Sequence, residues 1–419
     1  MATESPPLGM RRVPLAPRTL EAYVPIVGED VIADIQSAAR PLQGARVAHI
    51  SATERGGGVA EILQSLVPLM RSAGLDAEWH IISGTDAFFT ITKGIHNALQ
   101  GMPLVLSPEM QSTYLAVNRA NASSFTNDFD FIVVHDPQPA PLRPMHGVGR
   151  GIWIWQSHID LTMSDPAYWA FMRSFIEAYD AAIFTMAAFV PWDLSIGTVA
   201  IIPPAIDPLS QKNVPIPDEQ VNRAIGAQGV DPFRPLLVQV SRYDHWKDPL
   251  GVIDVFRAVR PAVPGLQLVL LGALALDDPE GLHYYQRTLA HAEGDPDIHV
   301  LMNVGGDLEV NAFQRRASAI LQKSLREGFG LTVTEGLWKA RPVVAGNVGG
   351  IPLQIDDGVT GYLVGSVEQA AHRILAVFGD PAAAAEMGRR GREVVRHKFL
   401  STANLRNYLQ FFAQLRPTH

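Results

Sequence analysis

Short apolar runs of four to seven residues recur along the chain, separated by longer stretches where apolar residues return every three or four positions. The first pattern is that of buried parallel strands, the second that of helices with one apolar face. In the first half, strand-like runs fall at 45–51, 78–82, 131–134, 151–155 and 181–185. Helical patterns fall at 31–39, 59–71, 88–99 and 166–178. Pro68 lies inside the second of these and predicts a kink. A second series follows Ile201-Ile-Pro-Pro-Ala-Ile-Asp-Pro208, whose prolines suit a hinge. Its strands are expected at 236–241, 267–271, 298–301, 319–322 and 343–345, and a last helix at 402–415. The run 268–276 reads as a buried strand passing into a loop, and is far too short for a membrane span. Strands alternating with helices imply an α/β protein with mostly parallel sheets, helices covering both faces.

Composition narrows the class. The chain has 419 residues, enough for two domains with full cores, and 47% hydrophobic against 18% charged residues marks a globular protein. A net charge of −8 without a long basic run argues against a nucleic-acid partner. There is no cysteine, so disulfides, thiolate catalysis and cysteine zinc sites are excluded. Residues 1–9 lack the apolar core of a signal peptide, and no membrane association is expected. A cytoplasmic protein fits these features.

Ligands of doubly wound sheets bind beyond the carboxyl ends of the strands. There the first half places Arg55-Gly56-Gly57-Gly58, His135-Asp136-Pro137-Gln138 and Gln156-Ser157-His158-Ile159-Asp160. Three glycines permit close backbone approach to a ligand, and equally well a plain sharp turn. A single buried histidine is more often a satisfied core residue than a catalytic one. Two of them at ligand-facing strand ends, each with an acid close by, favour the ligand reading. Asp128-Phe129-Asp130 imitates an Asp-x-Asp metal motif, but it precedes its strand, so it reads as a turn. Nothing has the spacing of a zinc site, a P-loop or a serine triad, and no metal is expected.

The second half is organised around 319–335. A short strand passes through Glu327-Gly328-Phe329-Gly330 into a helix starting near Leu331. A helix that follows a glycine turn offers unpaired N–H groups and the positive end of its dipole to an anion. Glu327 before the helix and Glu335 more than a turn inside it can flank a ligand lying across that terminus. A sugar nucleotide has this shape. Seen alone, the two glutamates would be a loop charge and a solvated helix residue. Arg242 and Lys247 share the loop after the 236–241 strand and supply the fixed positive charge that a departing diphosphate needs.

Glu-x7-Glu after a strand, with Gly-Phe-Gly between, resembles the donor-site signature of retaining glycosyltransferases of the GT-B fold. Lys339-Ala-Arg-Pro-Val-Val-Ala-Gly-Asn-Val-Gly-Gly-Ile-Pro352 and Asp357-Gly-Val-Thr-Gly-Tyr-Leu363 continue in the same manner. The resemblance implies two Rossmann-like domains, 1–205 for the acceptor and 206–400 for the nucleotide sugar, facing a central cleft. It also implies that 401–419 crosses back to the first domain. Arg55–Leu63, 88–101, Trp153–Asp160, Asp244–Asp254 and Asn311–Arg315 are similar, more narrowly, to the trehalose glycosyltransferring synthases. That family moves glucose reversibly between a nucleoside-diphosphate glucose (ADP-, UDP- or GDP-glucose) and free glucose, with α,α-trehalose as product and no further cofactor required.

By the same resemblance Glu327 holds the transferred sugar, Glu335 the ribose hydroxyls, and Arg242 with Lys247 the leaving phosphate. Gly328, Phe329, Gly330 and Leu331 complete the donor site, with Gly57 and Gly58 at the diphosphate. His158 faces the donor hexose and its developing positive charge. His135, Asp136, Gln138 and Asp160 serve the acceptor. The chain departs from the family at Gln156, where arginine is expected; this bears on acceptor affinity or donor preference, so Gln156→Arg is expected to improve one kinetic constant rather than fold stability. A retaining trehalose phosphorylase and a catalytically idle sugar-nucleotide-binding protein are the alternatives. Preferred nucleobase, direction of reaction, and monomer or homodimer stay open.

Overall fold

The computed structural model describes residues 9–416 apart from 127, 148, 273–278 and 304–305. Expectations for 1–8 and for the loop part of 268–276 therefore lie outside the described residues. The chain divides into two compact units, one running up to Pro204 and resuming at Ser401, the other Ala205–Leu400.

The first unit is built on strands β1 (Arg11–Arg12), β2 (Arg46–Ser51), β3 (Asp76–Ile81), β4 (Phe131–His135), β5 (Ile152–Ser157), β6 (Ala181–Phe184) and β7 (Thr198–Ile201). They lie in the order β1-β3-β2-β4-β5-β6-β7. All neighbours run parallel except the short edge pair of β1 and β3. From β2 the chain first adds β3 on one side and then crosses to β4 on the other. The carboxyl ends of β2 and β4 therefore bound a topological switch point, where open α/β sheets hold their ligands.

The second unit repeats the plan with β8 (Leu236–Val240), β9 (Gln267–Gly272), β10 (Ile298–Met302), β11 (Ala319–Gln322), β12 (Val343–Gly346) and β13 (Tyr362–Val364). The order β10-β9-β8-β11-β12-β13 puts the switch between β8 and β11, and every pairing is parallel. Each sheet carries its own buried apolar core under its helices.

Among the described residues, four helices open with the same device, an acidic or hydroxyl N-cap followed by proline at the first helical position. These are Ser107 before Pro108–Ser124, Asp165 before Pro166–Ile176, Asp248 before Pro249–Val259 and Asp380 before Pro381–Lys398. The cap side chain accepts from an otherwise unbonded N–H, and proline lacks the donor that would be unsatisfied there. Helix Pro108–Ser124 lacks a sequence-level signal because polar Asn118 and Asn121 share its buried face with Tyr114, Val117 and Ala122. The amide nitrogens of both are occupied, Asn118 donating to the Tyr114 and Gln138 carbonyls and Asn121 to that of Ser83. Strand β7 is likewise unannounced, because its residues are mostly exposed. Helix Gly58–Ser72 runs through Pro68 as one element rather than two. Asp130 proves to be a turn residue, its carboxylate accepting the Arg46 N–H at 2.8 Å.

The last helix, Ser401–Leu415, packs within the first unit. Phe412 stacks on Phe131 of β4 with ring centroids 4.5 Å apart, and Asn404 donates to the Pro203 carbonyl at 2.9 Å. No described helix is long and apolar enough to cross a membrane. Because Phe131 and Phe412 are fully buried, Phe412→Ala is expected to destabilise the first unit by about 3–5 kcal/mol. Chemical denaturation with a probe in that unit measures it; a loss below about 1 kcal/mol would mean that the helix is not part of that core.

Candidate active site

In the first unit three imidazoles line up across the ends of adjacent strands. His49 of β2 lies with Nδ1 2.9 Å from Nε2 of His135, the last residue of β4. His135 Nδ1 in turn lies 3.0 Å from Nε2 of His158, just beyond β5. The rings are stacked pair by pair, with centroids 5.2 and 5.3 Å apart. Burial, reinforced by the neighbouring imidazole charge of His158, holds His49 down to about 3. His135 is held well below the usual histidine range by burial and by both neighbours, and His158 is lowered by burial against the opposing pull of Asp136. All three rings are therefore neutral at neutral pH.

Asp136 follows His135 at φ 65°, a left-handed conformation that a residue with a side chain seldom adopts. The turn is held by its N–H donating to the Gln156 carbonyl at 2.8 Å and by Trp155 Nε1 donating to its own carbonyl at 3.1 Å. Its carboxylate is thereby aimed at the His158 backbone N–H, 2.8 Å away. Burial raises the Asp136 carboxyl, with the His158 charge and this hydrogen bond opposing the shift. His135, Asp136 and His158, expected at the ends of two different strands, form one hydrogen-bonded group. The Oδ1 of Asp160 accepts from the N–H and hydroxyl of Thr162 at 2.9 and 2.6 Å. The carbonyl of Gln138 is taken by Asn118. Gly57 and Gly58 sit where helix Gly58–Ser72 begins, exposed, and Gly57 has φ 152°. A Cβ on Gly57 would meet nothing within 4 Å, so backbone conformation and not crowding is what requires glycine there.

Gln156, where arginine is expected, is 3% exposed, and its amide oxygen accepts the hydroxyl proton of Tyr408, on the C-terminal helix. The side chain is thus packed within the first unit.

In the second unit the loops after β8 and β11 meet because those strands are neighbours, Ala319 pairing with Leu237 and Ile320 with Val238. Lys247 Nζ donates to Glu327 Oε2 at 2.5 Å, and Ser324 Oγ donates to the same oxygen at 3.2 Å. Each side of this pair is braced. Gln239 Nε2 donates to the Lys247 carbonyl at 2.7 Å, and Leu325 N–H donates to the Trp246 carbonyl at 2.7 Å. Arg242 stands on the same loop, 43% exposed, with Nη2 3.5 Å from Asp244.

Glu327-Gly-Phe-Gly330 is clasped by the loop of Gly349 and Gly350. A Cβ on Gly349 would fall 1.6 Å from the Glu327 carbonyl oxygen, and one on Gly350 would fall 2.5 Å from that of Gly328. Gly330, at φ 86°, starts helix Leu331–Trp338 in the left-handed region. Phe329 contributes its backbone to this turn, while its ring packs on Phe399. Gln354 secures it, donating to the Phe329 carbonyl at 2.6 Å. Glu335 is 1% exposed, so it is not a solvated helix residue. Its Oε2 accepts from Gln314 at 2.7 Å, and its Oε1 lies 3.6 Å from Lys212 Nζ. Sequence reading assigned no role to His49, Ser324, Gln314, Lys212 or Tyr408. A histidine between the apolar residues of 47–50 was the one visible signal among them.

Comparison with known proteins agrees with both halves. Residues 49–191 match the family described as "Trehalose synthase, N-terminal domain", and residues 222–394 match "Glycosyl transferases group 1". The chain is 46% identical to a trehalose synthase of Rubrobacter xylanophilus, over 97% of this chain and 99% of that one. It is also 46% identical to one of Thermococcus litoralis, over 94% and 96%. A trehalose phosphorylase of Pleurotus pulmonarius is 27% identical over 80% of this chain but only 52% of its own length. Among solved structures, a trehalose-6-phosphate synthase superposes with TM-score 0.72 at 14% identity, covering 89% of this chain and 100% of that one. A sucrose-phosphate synthase from Thermosynechococcus elongatus gives 0.70 at 19% identity, covering 88% and 99%. These likenesses establish the GT-B fold.

Burial of Gln156 yields a test: Gln156→Arg would place a charge in the core without a partner. It is expected to lower the stability of the first unit by about 3 kcal/mol or more, read as a shift in its unfolding midpoint. A variant of unchanged stability with an altered KM would put the side chain back at a ligand. With both units matched in sequence and in fold, the chain is a glycosyltransferase that belongs to the trehalose synthase family.

Proposed function

We propose that this chain moves glucose reversibly between a nucleoside-diphosphate glucose and free glucose, making α,α-trehalose with retention at the anomeric carbon. The observation that carries the reading is the likeness to trehalose synthases across both units, which takes in every candidate residue. The phosphorylases share only about half of their own length with this chain, which makes phosphorolysis the weaker reading.

In the reaction the bond from the anomeric carbon to the phosphate oxygen breaks, and one to the acceptor hydroxyl oxygen forms on the same face. The acceptor proton passes to the departing phosphate oxygen, so no enzymic nucleophile is needed. Lys247, already pinned at the end of β8 by its backbone contacts, supplies fixed charge to that phosphate together with Arg242. The N-terminus of helix Leu331–Trp338 adds its dipole. Glu327 holds the transferred hexose and Glu335 the ribose; Gln314 keeps the latter carboxylate oriented. Gly57 and Gly58 give the diphosphate backbone contacts. His158 faces the hexose as positive charge develops, and Asp136, Gln138 and Asp160 serve the acceptor; His135, whose two ring nitrogens face His49 and His158, backs His158 instead of touching the acceptor. No metal or further cofactor takes part.

Incubating the protein with trehalose and ADP, UDP or GDP should release glucose and a nucleoside-diphosphate glucose, with activity unaffected by chelator. Glucose 1-phosphate from trehalose and phosphate alone, at comparable rate, would select the phosphorylase reading instead. The glutamates are separable by a ligand that carries ribose but no hexose. Glu335→Ala is expected to weaken ADP or UDP binding about tenfold or more, whereas Glu327→Ala should leave it nearly unchanged and lower kcat by about ten- to a hundredfold. Calorimetric titration and steady-state rates measure both; equal losses of nucleotide affinity would reject the assignment.

A further inference from the structure

The row His49–His135–His158 contains two hydrogen bonds between neutral rings, and a neutral imidazole carries one proton. If His49 Nδ1–H donates to His135 Nε2, then His135 must carry its proton on Nδ1 and donate to His158 Nε2. The proton of His158 is then on Nδ1. If instead His135 donates through Nε2, every step reverses and the last proton lies on His49 Nε2. The row therefore has only two states, and the three tautomers change together.

The buried end decides between them. His49 Nε2 is buried with no hydrogen-bond partner among the described residues, and the His49 ring meets Tyr408, with centroids 5.8 Å apart. An orphaned buried N–H is rarer in folded proteins than an acceptor left unfilled. At the other end the Asp136 carboxylate accepts the His158 backbone N–H. It attracts the positive end of the row's aligned dipoles, which in the first state points to His158.

We propose that His49 and His135 are positioning residues that lock His158 in the tautomer with its proton on Nδ1. The locked ring presents a fixed N–H donor to a hydroxyl oxygen of the transferred hexose, and spends no free energy on choosing a tautomer during transfer. This role rests on the reading of His158 as a donor-hexose residue; the lock itself does not.

Histidine-selective isotope labelling and long-range proton–nitrogen NMR of the full chain at neutral pH report the tautomer directly. His158 is expected to be protonated on Nδ1 in the unsubstituted protein, and protonation on Nε2 would overturn the proposal even if no variant folds. His135→Phe removes both hydrogen bonds. It should release His158 toward the Nε2–H form that free imidazole prefers, and lower kcat by about ten- to a hundredfold with ADP or UDP affinity retained. An unchanged kcat in that variant would also overturn the proposal. An Nδ1–H His158 in a protein that forms no trehalose would support the lock and reject the reaction, so the two readings fail separately.

Discussion

Parallel pairing at two switch points is the constraint on which both candidate clusters depend. In each unit the chain leaves a central strand, builds outward on one side, then returns to add a strand on the other. The two loops flanking the switch are far apart in sequence, yet their carboxyl ends are held at the spacing of neighbouring strands. In the first unit this brings His49, His135 and His158 into one row; in the second it brings Lys247 to Glu327, 80 residues away. Neither set is a local motif in the sense of a helix face. Each exists only because the ladder beneath it is in register.

The second-unit turn is held unusually directly. Where most loops are positioned by side chains, Glu327-Gly-Phe-Gly330 is clasped by the backbone of Gly349 and Gly350 at distances that admit no Cβ. A backbone-to-backbone contact has no rotamers through which to relax, so the carboxylate of Glu327 and the helix start at Gly330 are fixed relative to one another. The ion pair with Lys247 adds to this, and it has a chemical corollary. Under the proposed donor reading, a phosphate that recruits Lys247 would draw charge away from Glu327, so arrival of the diphosphate and freeing of the carboxylate for the sugar would be one event.

What could be read from the sequence follows a physical divide. Strands buried on both faces announce themselves as apolar runs, so β2, β4, β8, β9 and β11 fall within about a residue of expectation. Helix Pro166–Ile176, with an Asp-Pro start and an apolar buried face, was legible. Helix Pro108–Ser124 was not, because its inward asparagines bond backbone carbonyls, a function that periodicity does not register. Glu327, Lys247, His135 and His158 stood out because charged or titratable residues at strand ends have few structural roles. Gln156 shows the complementary limit: its place in the Trp-x-x-His segment said ligand, while its hydrogen-bond partner, Tyr408, lies some 250 positions later in the chain. Partners so remote carry no local signal, and the same is true of Gln314 for Glu335.

The position of the last helix has a consequence for how the protein is made. The first unit is discontinuous: its sheet is complete by Pro204, but the helix that supplies Tyr408 and Phe412 begins only at Ser401. The second unit, contiguous in sequence, leaves the ribosome in between. At synthesis rates of about 5–20 residues per second, the first sheet waits for roughly 10–40 s with the faces of Phe131 and Gln156 uncovered. The unit begun first is therefore the one finished last, and the growing chain is most exposed to aggregation while its second half is being translated.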